Sequence, residues 1–359
     1  MSNRIRFAIV GTGKRSDYLY APLLNLLQDD VEFVGVWGRS EEKARELGEK
    51  YHVPWFTDLG QMRNELQVDA AIVSVANRAN GEVGRRVIDL GLHVLLETPI
   101  ANRLDDADAI IAKANNLKVE VAEQYYRRPM ERMKRQLIDA GVFGRVWVAY
   151  NDFMGHDYHG MSLLRSYIGF DEPVVSVMGA ASTFPVHPHY SWISHQTEKR
   201  DEEWQHATLH FANGALGFFN WSSIAYDSAL RWQRSTRFFG ERGMAYGDDL
   251  TTLTPDGKDP QRIEIRRYFH NIGGMETLTE LVARTSPEIV WRNPFRAYYM
   301  EDEMIAVADC LMSVIHAICE NKPPEYGAQQ ARKDQELTLA MHESINHAGA
   351  NTMLPLQYA

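Results

Sequence analysis

Cysteine is nearly absent: the 359 residues contain two, Cys310 and Cys319. Both lie on one apolar helical stretch too poor in partners for a disulfide framework or a zinc site, which fits a reducing cytosol. No apolar run of 18 residues occurs, so a membrane-spanning helix is not expected. The chain enters a strand-like run at Ile5–Val10 almost at once, and neither an export nor an anchoring signal is expected ahead of it. Positive charge is in deficit as well: 38 Lys and Arg stand against 48 Asp and Glu, a formal net charge of −10. That field repels phosphate backbones and anionic bilayers, so neither nucleic acid nor membrane is an expected partner. Repeats and low-complexity tracts are missing. With 45% hydrophobic and 24% charged residues the composition excludes disorder and suits about two globular domains.

The first third alternates short Val/Ile/Leu runs with helical patterns. Ile5–Val10, Val31–Val36, Ala70–Val75, His93–Leu96 and Val119–Ala122 read as strands buried on both faces; Ser40–Tyr51, Gly81–Leu90 and Asp105–Asn115 read as the helices between them. Helices of that length between strands demand right-handed parallel crossovers, hence an α/β, doubly wound Rossmann sheet. Ser40 ahead of Glu41 and Glu42 is an N-cap with acids in the first turn, and Gly91 is a stop signal.

After residue 123 the texture changes. Val146–Asp152, Val174–Ala180, Ala207–Phe211, Ala215–Trp221, Thr236–Gly240, Gly243–Tyr246 and Ile263–Arg267 follow one another with turn pairs such as Asn213-Gly214 between neighbours. The expectation is a dinucleotide-binding domain over 1–123 and a substrate-binding and oligomerisation domain over 124–359. The latter is an α+β domain with a large, open, mostly antiparallel sheet. Helical periodicity returns at Arg296–Glu320 and Gln329–His347, leaving the last helices free to pack back on the first domain.

Gly11-Thr12-Gly13-Lys14-Arg15-Ser16 follows the first strand and opens a helix. Small residues let the backbone turn sharply against a pyrophosphate, whose charge the free N–H groups and helix dipole hold. Ser16 stands where the fingerprint prefers Gly or Ala. The second strand ends Val36-Trp37-Gly38-Arg39-Ser40 without the carboxylate that accepts bonds from ribose hydroxyls. Arg39 and Ser40 suit a 2′-phosphate, or Arg39 stacks on adenine while Ser40 only caps its helix, which leaves NAD and NADP both open.

Together with Ala8-Ile-Val-Gly-Thr-Gly13, the runs Ile72-Val-Ser-Val-Ala-Asn77, Gly91-Leu-His-Val-Leu-Leu-Glu-Thr-Pro99, Leu163-Leu-Arg-Ser-Tyr-Ile-Gly169 and Phe239-Gly-Glu-Arg-Gly243 carry a resemblance over nearly the whole chain. It resembles the glucose-fructose oxidoreductase / inositol dehydrogenase / MocA (Gfo/Idh/MocA) family of NAD(P)-dependent sugar oxidoreductases. The resemblance implies that Asn77 contacts the cofactor, that Glu97 binds the nicotinamide ribose hydroxyls, and that Gln124 lies near the carboxamide. It also implies a homodimer or homotetramer formed through the open face of the second sheet. Two positions depart from the family: its catalytic lysine is Thr98, and its aspartate four residues before a histidine is Gly155. His159 matches that histidine, and the carboxylate is expected to have moved to Asp157.

Oxidising a secondary alcohol requires a base for the hydroxyl proton, and neutral imidazole is the natural acceptor once lysine is absent. His159 is therefore the expected base, with His156 and Tyr126 as further catalytic candidates and Arg127, Asp157 and Thr98 as substrate contacts. His187 and His189 lack a third ligand in pattern, and no metal is expected. Trp192, Trp204, Trp221 and Trp232 are expected to pack core or interface. The expected function is cytoplasmic NAD(P)-dependent oxidation of a sugar or glycoside, at the C3 hydroxyl, with a nucleotide that can be tightly bound. The alternatives are an NAD-dependent glycosidase acting by transient oxidation and elimination, and a catalytically inactive sugar or cofactor sensor.

Overall fold

The computed structural model describes residues 4–357. The chain divides into two compact units: 1–127 with 297–335, and 128–296 with 336–359. The first unit thus recruits a segment from far downstream, where a single cut after 123 would have left it in the second.

In the first unit, β1 (Ile5–Val10), β2 (Val31–Trp37), β3 (Trp55–Phe56), β4 (Ala70–Val73), β5 (His93–Leu96) and β6 (Val119–Val121) form one sheet in the order β3-β2-β1-β4-β5-β6. Every pairing is parallel. The order reverses between β1 and β4, so the carboxyl ends of these two strands flank the crevice where such sheets take ligands. The Val, Ile and Leu runs are buried because helices cover both faces; Phe7, Ile9, Ile72, Val94 and Leu95 are 0% exposed. Ser40 caps Glu41–Tyr51, its Oγ accepting from the Lys43 N–H at 3.4 Å. Strand β3 escaped the sequence pattern because two residues make no periodicity. The helix expected from Gly81 begins at Asn77, its first turn hidden by the polar run Asn77-Arg78-Ala79-Asn80. The downstream helix Asp302–Cys319 packs on β5, β6 and the turn Tyr125–Arg127.

In the second unit nine strands form one sheet, and eight of them share an apolar rung in register. Val177, Leu209, Gly217, Ala149, Phe238, Ala245, Leu250 and Ile263 face the same side. The helix Asp157–Ile168 packs on two of these strands, Val146–Asp152 and Leu216–Ser222. The opposite side carries Phe218, Tyr150, Arg237 and Tyr246. Tyr150 stacks on Phe218 at 4.8 Å, with the Arg237 guanidinium 4.3 Å from its ring. The strands expected at Val174–Ala180 and Ala207–Phe211 run on to Pro185 and back to Asp201, because their outer halves are polar and exposed. The strand expected at Ile263–Arg267 breaks at Glu264. Ile263 ends an edge strand of the large sheet, while Ile265–Ile272 starts a separate sheet with Met275–Ala283 and Ile289–Arg292. Among the described residues no helix is long and apolar enough to cross a membrane.

Candidate active site

The glycine turn is pressed against β4. Gly11 has φ of 127°, and a Cβ placed there would lie 2.0 Å from the Ser74 carbonyl oxygen. Its N–H donates to the Trp37 carbonyl at 2.9 Å, tying the turn to the end of β2. A Cβ on Gly38 would meet the Thr12 methyl at 2.6 Å, whereas one on Gly13 would meet nothing within 4 Å. Gly11 is glycine because the protein leaves it no room; Gly13 borders open space. Ser16 is fully buried, its Oγ 3.5 Å from the Ser74 carbonyl, and a small residue there lets helix and strand pack closely.

That open space is a groove of about 620 Å³. Of the expected cofactor residues, Gly11, Thr12, Gly13, Lys14, Arg15, Gly38, Arg39, Ser40, Asn77 and Glu97 line it, joined by Thr98. Lys14, Arg39, Lys43 and Arg86 give the wall further positive charge against the acids Glu82 and Glu97. A groove walled by a turn without side chains and by several cations fits a dinucleotide diphosphate. Two expected residues lie outside it. Ser16 is behind the turn, and Gln124, 4% exposed, turns its amide to Glu303 at 3.4 Å. The Gln124 amide nitrogen is thus tied to the downstream helix.

Glu97 sits at the far side of the groove, 7% exposed. Its Oε1 accepts from Arg15 Nε and from the Tyr20 hydroxyl, and its Oε2 accepts from the Thr98 N–H at 3.0 Å. Burial pulls the Arg15 guanidinium down, yet the facing Glu97 carboxylate holds it well above its ordinary value. Burial and then Glu97 push the Tyr20 phenol up, so it stays a donor. Asn80 fixes the following turn, donating to the Glu97 and Pro99 carbonyls. Sequence reasoning missed Tyr20 and Asn80; the only signal was a polar residue on the buried face of a helix.

Tyr126 and Arg127 belong to the first unit. Arg127 is 0% exposed and bonds Glu120 at 2.6 Å, Glu325 at 3.1 Å and Asp309 at 3.2 Å. A sugar contact of the kind expected of Arg127 has to compete with three carboxylates of its own unit that already hold its charge. Tyr126 is 4% exposed, its ring 5.8 Å from that of Tyr326 and 5.2 Å from the Arg127 guanidinium.

The remaining candidates cluster in the second unit. Asn151 clasps the backbone of Gly155, its amide oxygen accepting from the Gly155 N–H and its amide nitrogen donating to the Gly155 carbonyl, both at 2.8 Å. A Cβ on Gly155 would lie 2.8 Å from the Gly160 nitrogen, so no carboxylate fits at that position. His156 is the N-cap residue of Asp157–Ile168, and His159 stands in its first turn, 5% exposed. The two imidazoles lie 4.8 Å apart, and the His156 ring also meets Trp221 and Tyr226 edge-on. Asp157, with φ of 39°, faces His156 Nδ1 at 3.5 Å and His342 Nε2 at 3.7 Å. His342 comes from the last helix, Ala328–Asn346, and nothing in its local sequence marks it.

Burial lifts the Asp157 carboxyl, but His156 and His342 together draw it well below the usual carboxylate range. Hydrogen bonding to Asp157 raises His342 in turn, against its partial burial. A raised imidazole stabilises the fold fully below its unfolded value and loses that contribution as pH climbs through the folded one; a depressed carboxylate loses its own as pH falls. The Asp157–His342 pair is thus strongest between about pH 4 and 6.5. In thermal unfolding, the margin of the wild type over His342→Gln is expected to shrink between pH 5.5 and pH 9. An equal margin at both would reject the pairing.

Residues 5–125 match the model of an oxidoreductase family with an NAD-binding Rossmann fold, GFO_IDH_MocA. The match lies within the first unit and leaves the second unit outside it. It is 28% identical over 150 residues to scyllo-inositol 2-dehydrogenase (NADP(+)) of Bacillus subtilis, covering 41% of this chain and 45% of that one. It is 27% identical over 150 residues to D-glucoside 3-dehydrogenase of Escherichia coli, covering 41% and 42%. The chain thus spans about half the length of the curated relatives it matches. The crystal structure of an NAD binding oxidoreductase from Klebsiella pneumoniae shares the fold, with a TM-score of 0.73 at 15% identity over 99% of this chain and 100% of that one. The parallel order of the first sheet agrees with the Rossmann description of the matched model.

Proposed function

We propose that this protein is a cytoplasmic NAD(P)-dependent oxidoreductase that oxidises a secondary alcohol of a sugar or glycoside, with the C3 hydroxyl as the reacting group. The observation that carries the reading is the groove at the carboxyl ends of the parallel strands, where a side-chain-free turn, a cationic wall and an anchored acid meet. Bound NAD(P) supplies a hydride acceptor at the nicotinamide C4. The electron pair of the alcohol C–H bond would go to that acceptor when the nucleotide is bound, and the role of His159 is to take the hydroxyl proton on its imidazole. Glu97 holds ribose hydroxyls as an acceptor, its orientation set by the Thr98 N–H and the Tyr20 hydroxyl. Thr98 and Asp157 are the proposed contacts to substrate hydroxyls; Thr98 carries no charge and is not the base. Relatives named for oxidising an inositol and a glucoside support a cyclic polyol or sugar as substrate. The face carrying Phe218, Tyr150, Arg237 and Tyr246 is the proposed surface for a homodimer or homotetramer.

The test has two parts. Denaturing the purified protein and weighing the released nucleotide identifies the cofactor. Absorbance near 340 nm is then followed with a panel of glycosides, with an oxo-sugar acceptor added in case a retained nucleotide cycles. His159→Ala is expected to cut hydride transfer by at least about a hundredfold, the contribution of a general base, with nucleotide affinity unchanged. Undiminished turnover in that variant would reject the assignment.

A further inference from the structure

A guanidinium stands in the groove where the turn does not ask for one. The pyrophosphate turn needs small residues at 11, 13 and 16, and position 15 only has to continue the helix. Arg15 nevertheless projects along the groove to Glu97, and the two side chains are 30% and 10% exposed. Drawing a cation out of water is costly unless its charge is used. Resting on the nucleotide reading above, the strand order says which half of the cofactor meets this pair. The end of β2, with Gly38 and Arg39, takes the adenosine half, and the ends of β4 and β5, with Asn77, Glu97 and Thr98, take the half bearing the nicotinamide.

The oxidised and reduced rings differ by one unit of charge, the oxidised ring being the cation. A lone Glu97 carboxylate in this half-enclosed place would favour the oxidised form. We propose that Arg15 is a redox-state selector: its guanidinium cancels the field of Glu97 at the nicotinamide end, so that the groove binds the reduced and the oxidised dinucleotide on nearly equal electrostatic terms. The Tyr20 hydroxyl and the Thr98 N–H orient Glu97 without adding charge, so Arg15 is the charge that meets this carboxylate directly.

The sign of the effect separates this role from a structural ion pair. Isothermal titration calorimetry with both redox forms of one dinucleotide gives the ratio of oxidised to reduced affinity. NAD(+)/NADH and NADP(+)/NADPH are each tried on the full chain. Arg15→Met, which uncovers the carboxylate, is expected to move the ratio about fivefold toward the oxidised form. Glu97→Gln, which uncovers the guanidinium, is expected to move it about fivefold the other way, the size of a unit charge acting over several ångströms in a partly solvated groove. The double variant and Arg15→Lys should both return to within about twofold of the wild-type ratio. If Arg15→Met does not fold, Glu97→Gln and Arg15→Lys still decide the sign. Both single variants shifting the ratio the same way, or neither moving it, overturns the proposal. A wild type that binds none of the four nucleotides overturns the proposed function itself.

Discussion

Replacing Gly11 with alanine is expected to lower the affinity for NAD(H) and NADP(H) at least about a hundredfold and to bring thermal unfolding several degrees lower. Two costs act at once. The backbone at φ of 127° is a region that side chains rarely enter, and the added methyl would sit 2.0 Å from the Ser74 carbonyl oxygen, which is backbone and has no rotamer to escape into. Relief requires β1 and β4 to part just where the turn must meet the diphosphate. Gly13→Ala is the control that separates fold from ligand. Its φ is not positive and its methyl meets no protein atom within 4 Å, so the melting temperature should hold while the methyl intrudes on the groove. Calorimetric titration of each variant, beside its melting curve, checks both. Equal melting of Gly11→Ala and wild type would mean that the turn is looser than described.

Arg127→Met should cost about 3–5 kcal/mol of stability, the usual consequence of taking one partner from a buried ion pair. The carboxylates left behind differ in their recourse: Asp309 and Glu325 reach solvent, with side-chain exposures of 25% and 43%, but Glu120 is wholly enclosed. Ser313 Oγ at 2.7 Å and the Tyr326 N–H at 3.2 Å still donate to Glu120 Oε2, whereas Oε1 loses its Arg127 donor, so the deficit is one of charge and of one hydrogen bond. Adding Glu120→Gln to Arg127→Met should therefore recover a good part of the loss. Urea denaturation of the two single variants and the double variant measures the coupling, and strict additivity would contradict it.

Much of this molecule is readable from its residues. The parallel sheet announces itself because β1, β2, β4 and β5 are short runs rich in apolar residues, and the turn from Gly11 to Lys14 because its spacing answers a geometric demand. Of the residues lining the groove, Gly11 to Arg15, Gly38 to Ser40, Asn77 and Glu97 were named from sequence, whereas Ser74, Val75 and Ala76 at the end of β4 were not. Contacts made at long range were not named either. The pairing of Arg127 with Asp309 and Glu325, and of Gln124 with Glu303, has no signal in the residues around 124–127. His342 carries no local signal because its partner, Asp157, is brought to it only by tertiary packing. Gly155 shows the converse: a missing acid in sequence becomes intelligible once His159 and the Gly160 nitrogen leave no volume for it.

The cluster around Arg127 also bears on the order in which the polypeptide matures. Its carboxylate partners Glu120 and Glu325 lie 7 and 198 positions away along the chain, and the whole of 128–296 is spelled out between them. A chain translated as far as 296 already carries Glu120, but it still lacks Asp309 and Glu325, which arrive with the stretch 297–335. The first unit is in this sense closed only after most of the second has been spelled out, and the second is completed in turn by 336–359.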